Sequence, residues 1–103
     1  MLLNKGDMMD FLIDNGISRN IIVEIENYND DSLVYNFICN EANVIKVLEY
    51  FKSIGIVAIN RLLIYKLEVF LIDYKKIIKA FNNYDVSVLV QLINDDINAI
   101  NFL

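Results

Sequence analysis

Carboxylates are the most numerous chemistry-bearing side chains in this sequence, and they occur twice as adjacent pairs, Asp30-Asp31 and Asp95-Asp96. A paired site for general acid–base work needs two groups that face one another, whereas sequence neighbours on a helix point about 100° apart. Both pairs stand where a helix must begin, so N-capping is the reading they support. A calcium loop is tested directly. Asn27, Asn29 and Asp31 fit its first, third and fifth positions, but Ser32 stands where glycine is needed and Ile38 where glutamate is needed, so the loop fails. Cys39 lies in an apolar helical stretch without a basic neighbour, which predicts a buried, inert thiol rather than a nucleophile. The chain has no histidine, which closes Ser-His and Cys-His nucleophile pairs, histidine metal sites and histidine proton shuttles. No phosphate-binding loop, dinucleotide fingerprint, nucleophile elbow or Cys-x-x-Cys occurs. We therefore expect no catalytic residue, no cofactor and no metal; the chain does not read as an enzyme.

Charge offers more. Within a net charge of −5, residues 1–45 carry −6, residues 46–79 carry +4 and residues 80–103 carry −3. The bases of the middle segment, Lys46, Lys52, Arg61, Lys66, Lys75, Lys76 and Lys79, make a basic island between acidic flanks. It is either a solvated surface that pairs with those flanks or a patch for an anionic partner such as RNA or DNA. The overall negative charge and the lack of interleaved aromatic residues disfavour nucleic acid. The acids of the first segment, Asp10, Asp14, Glu24, Glu26, Asp30 and Asp31, offer a different surface, of the kind a small immunity or inhibitor protein turns towards a basic effector.

The elements that must position these groups are helical. Apolar residues recur at i, i+3 and i+4 almost throughout, and no Asn-Gly hairpin joins two alternating runs; Val86–Val90 and Ile54–Ile59 are the stretches that could be read as strands. The clearest helix carries Val44, Val47, Leu48, Phe51 and Ile54, opened by Asn40 or Asn43 and closed by Gly55. Asp7, Ser18, Asp30 or Asp31, Asp73, Asp85 or Ser87, and Asp95 or Asp96 are candidate caps for others, with Val69–Ile72 an apolar turn. The expected fold is all-α, about eight short helices in one domain over residues 1–103, as a compact helical repeat or bundle.

The segment Tyr50–Val86 contains a candidate repeat: residues 50–56 align with residues 80–86 at an offset of 30, which also pairs Ile59 with Leu89, Leu62 with Leu92, Leu63 with Ile93 and Phe70 with Ile100. Residues 11–17 align with residues 50–56 at an offset of 39, giving units 8–43, 44–77 and 78–103. Ile-rich helical chains produce such apolar matches by chance; the physical ground for a repeat is that one unit cannot bury its apolar face alone, whereas stacked units share a core.

The run Asn43–Ile72, with Val47-Leu48, Tyr50-Phe51-Lys52-Ser53-Ile54-Gly55-Ile56, Leu62-Leu63 and Leu67–Leu71, resembles one repeat of the mitochondrial transcription termination factor (mTERF) family. The resemblance implies repeats of two α-helices and a short third helix, stacked into a curved solenoid, and a family that binds nucleic acid on a basic concave face. Family repeats usually carry proline where Lys66–Glu68 stands here, and the family is basic and much longer. The similarity is read as architectural, and no binding residue is carried over.

Composition bounds the class. Of the 103 residues 56% are hydrophobic, which excludes a disordered chain or a flexible linker, and a chain of this size buries roughly two thirds of its unfolded surface. Ile, Asn, Lys and Tyr are abundant, as the AT-rich codons of a bacterial or phage genome would make them, so part of the Asn excess is set aside as composition. No apolar run approaches the roughly 18 residues of a membrane span, and the single cysteine and the charged opening segment point to the cytoplasm. The apolar surplus gathers in Ile97, Ile100, Phe102 and Leu103, an expected association end. We expect a non-catalytic protein–protein interaction module that self-associates or covers a partner surface.

Overall fold

The computed structural model describes residues 5–103, and among these every regular element is helical. The α-helices are α1 (Lys5–Met8), α2 (Asp10–Asp14), α3 (Arg19–Tyr28), α4 (Asp31–Cys39), α5 (Glu41–Ser53), α6 (Ile59–Tyr65), α7 (Tyr74–Asn82) and α8 (Val86–Asp95). One 3-10 helix, Leu67–Leu71, follows α6 and another, Ile97–Phe102, follows α8. The all-α expectation holds, and both candidate strand runs are absorbed: Val86–Val90 lies in α8, and 54–59 is the cap and loop leading into α6.

Local chemistry explains most boundaries. Asp30 accepts from the Leu33 amide, Asp73 from that of Lys75, Asp85 from that of Val88 and Asp96 from that of Asn98, at 2.8 to 3.3 Å. Each aspartate thereby satisfies an amide that its helix leaves open at its start. So each adjacent pair supplies one cap. Gly16 and Gly55 close α2 and α5 at φ of 87° and 92°, and the residue after each donates back into the last turn, Ile17 to the Leu12 carbonyl and Ile56 to that of Phe51. This six-to-one bond with an αL glycine is the Schellman cap.

Three expected caps differ. Asp7 lies inside α1, because the first helical segment starts earlier and is broken at Met9. Ser18 occupies the N-cap position of α3 but its hydroxyl makes no capping bond. Asn40 precedes α5 but donates backwards to the Asn36 carbonyl at 2.8 Å, while Asn43 lies within that helix.

The core is a spine of phenylalanine rings along a molecule measuring 48 × 24 × 23 Å. Phe11 meets Phe37 at 6.0 Å between ring centres, Phe37 meets Phe70 at 6.3 Å, Phe70 meets Phe51 at 5.6 Å and Phe51 meets Phe81 at 5.8 Å. Around it α3 packs on α6, α4 and α5 on the first 3-10 helix, and α5 on α7. The order helix, helix, 3-10 helix occurs twice, in 41–71 and 74–102. The divisions fall at Asn40 and Asp73; unit boundaries at 43/44 and 77/78 would cut α5 and α7.

Candidate interaction surface

Helix α8 carries apolar residues on two opposite faces. Val86, Leu89, Val90 and Ile93 fall within one arc of about 100° and turn to the core, while Val88 and Leu92, an i, i+4 pair, fall on the other side. The outer pair is exposed, 54% at Val88 and 48% at Leu92. One turn earlier Tyr84 extends the same stripe at 49%, and Phe102 of the last 3-10 helix stands beside it at 68%. The Tyr84 hydroxyl donates to the Phe102 carbonyl at 3.0 Å and ties the two segments together.

These residues line two neighbouring pockets that share Leu92 and Phe102. The first, about 320 Å³, is lined by Tyr84, Asp85, Val88, Leu89, Leu92 and Phe102. The second, also about 320 Å³, continues past Leu92 and Phe102 to Asp95, Asp96, Asn98 and Ala99. Together they form a groove beside α8, which is roughly 15 Å long for its ten residues. It has a carboxylate at one end and two at the other. Four large apolar side chains exposed together, two of them aromatic, are what a protein-binding patch requires.

The expected apolar end is reorganised. Ile100 is buried, Ile97 and Leu103 pack against the core, and Phe102 alone of the four is exposed. The 3-10 turn explains this, since its three-residue period places Ile97 and Ile100 on one inward row and Phe102 off it. The sequence alignment at an offset of 30 pairs Leu92 with Leu62 and does not single out Val88. The available signal was the second apolar stripe of α8, on the side opposite the first.

The basic island divides into groups. Lys52 donates to the Asn15 carbonyl at the end of α2, Arg61 to the Asn94 carbonyl at 3.1 Å and Lys66 to the Asn101 side chain at 3.4 Å. These three brace neighbouring segments. Lys46 and Lys75 meet over the Tyr74 ring at 5.1 and 6.0 Å, a cation–π pairing across α5 and α7. Lys76 and Lys79 are exposed on α7. Of the acids, Asp10 pairs with Arg19 at 3.1 Å and Asp30 is a cap; Glu24 and Glu26, two apart on α3, point to opposite sides of it. Asp14 and Asp31 are exposed.

Cys39 is exposed, contrary to the buried thiol expected, because α4 buries the stripe of Val34 and Phe37 and its last residue lies off that stripe. Among the described residues no group of three or more His, Cys, Asp or Glu side chains could hold a metal ion, and no helix is long and apolar enough to cross a membrane. Burial raises the Tyr50 phenol above its ordinary value of 10.0, and its ring packs edge-on against Phe81. A second, smaller groove of about 240 Å³ lies between α3 and α6, where Tyr28 and Tyr65 meet edge to face at 4.7 Å beside Glu24 and Asn27.

Set against protein families, curated proteins and solved structures, the chain matches none of them.

Proposed function

We propose that this chain is a non-catalytic module that binds another protein through the outer face of α8. The observation that carries the reading is the groove of Tyr84, Val88, Leu92 and Phe102, apolar along its floor and lined by side chains that the core does not use. Interfaces concentrate their energy in a few aromatic and aliphatic residues ringed by polar ones, and this face has that composition. A nucleic-acid reading draws less support, since Lys52, Arg61 and Lys66 are tied to carbonyl oxygens of the chain itself and the net charge of −5 repels phosphate.

The test is sedimentation at micromolar concentration together with binding of a dye that fluoresces on apolar surfaces. The reading expects either association or dye binding, and expects Leu92→Asp and Phe102→Asp to abolish whichever is seen while the helical circular dichroism is kept. A clean monomer that leaves the dye dark overturns it.

A further inference from the structure

The two ends of the groove carry charge of one sign. Asp85 lines it at the start of α8 and Asp95 and Asp96 line it at the end, ten residues further on, while residues 80–103 contain no base at all. Asp85 and Asp96 each use Oδ1 for capping, so each keeps its second carboxylate oxygen for a partner.

A second copy of this chain fits such a groove poorly. Two α8 helices packed antiparallel would set Asp85 of one against Asp95 and Asp96 of the other, and packed parallel would set each acid against its own equivalent. Either arrangement places like charges beside a desolvated apolar strip, and the bases that reach this segment, Arg61 and Lys66, bond the Asn94 carbonyl and the Asn101 side chain instead of these carboxylates. The complement is a helix with the opposite rim.

Resting on the protein-binding reading above, we propose that the groove takes a basic amphipathic helix of a partner protein. That helix presents apolar side chains at i, i+3 or i+4 and i+7 to Tyr84, Val88, Leu92 and Phe102. Lys or Arg residues about ten positions apart, the separation of the two acidic ends, flank its apolar stripe at roughly 1.5 Å of rise per residue.

Three synthetic peptides of about 16 residues test this, long enough to span the groove as a helix. They share one apolar stripe and differ only at the flanking positions, filled with Lys, Gln or Glu, and are titrated against the full chain at low salt by fluorescence anisotropy. The Lys peptide is expected to bind about tenfold more tightly than the Gln peptide, the sum of three partly screened ion pairs, and the Glu peptide more weakly than either. Asp85→Asn with Asp95→Asn and Asp96→Asn, in which asparagine preserves the caps, should bring the Lys peptide to the affinity of the Gln peptide; Leu92→Asp should abolish binding of both. Equal affinity for the Lys and Gln peptides overturns the basic partner. So does a dimer of the wild-type chain that Leu92→Asp converts to monomer. Binding of none of the three also overturns it, and dye fluorescence that Leu92→Asp removes would show that the broader reading survives.

Discussion

Asn43 shows how much a single amide does in this molecule. Its Nδ2 donates to the carbonyls of Phe70 and Ile72 at 3.0 and 2.8 Å, and its Oδ1 accepts from the Tyr74 amide at 3.0 Å. One side chain thus holds the backbone between the first 3-10 helix and α7. Asn94 does the same for the loop before α6, accepting from the amides of Val57 and Ala58 and donating to the Gly55 carbonyl at 3.1 Å. Neither role was legible in the sequence, where Asn43 stood as a candidate cap and part of the asparagine excess as codon bias, because the carbonyls they serve lie 27 to 39 residues away and only packing brings them near. Asn43→Ala is expected to cost about 2 kcal/mol, since it leaves part-buried backbone groups without partners. Asn43→Asp should cost more than alanine despite its matching shape, because one carboxylate oxygen can still accept from Tyr74 while the other, with no proton, faces the Phe70 and Ile72 carbonyls. Asn60→Ala, on the exposed side of α6, should stay within about 0.5 kcal/mol. Urea unfolding midpoints of the full chain check this order, and an aspartate more stable than alanine would contradict it.

At the scale of the element, the caps were the most legible feature: Asp30, Asp73, Asp85 and Asp96 open helices, and Gly16 and Gly55 close them. Such signals depend on residues two to five apart, so a short stretch of sequence contains both partners of each bond. Which face of a helix the rest of the chain covers is a non-local property, and there the reading failed, at Cys39 and at α8. Leu62 and Leu92 occupy matching positions at an offset of 30, yet Leu62 is 0% exposed beneath α3 and the first 3-10 helix, while Leu92 forms part of the open groove. Leu62→Ala should therefore lower stability by about 2 to 5 kcal/mol through lost burial and a cavity. Leu92→Ala should cost below about 1 kcal/mol and instead weaken dye binding. Thermal unfolding and dye fluorescence on the two variants separate the positions. Equal destabilisation would mean that Leu92 belongs to the core and that α8 has no free face.

The whole molecule is elongated, 48 × 24 × 23 Å, and an element at its end, with fewer neighbours, opens more easily than one in the middle. Helix α5 sits in the middle, where Val44, Val47, Leu48 and Phe51 are all buried and Phe51 touches both Phe70 and Phe81. Helix α8 packs chiefly on the last 3-10 helix and on α7, and polar bonds of Asn94 tie it to the loop after α5 while that of Arg61 ties it to α6. Opening 84–103 exposes Leu89, Val90, Ile93 and Ile100 but leaves the rings from Phe11 to Phe81 stacked. Native-state hydrogen exchange should then divide the amides into two classes. Those of Val47, Leu48 and Phe51 should exchange only on global unfolding, with urea accelerating them in proportion to the full surface exposed. Those of Leu89, Val90 and Ile93 should exchange through a smaller opening, at lower free energy and with a shallower urea dependence. The same partition gives binding a signature that needs no structure of a complex: a helix seated in the groove must slow the α8 amides by its own binding free energy, at fixed concentration, before it slows those of α5. If α8 and α5 exchange together with one urea slope, the chain opens as a single block, and occupancy of the groove would protect both helices alike.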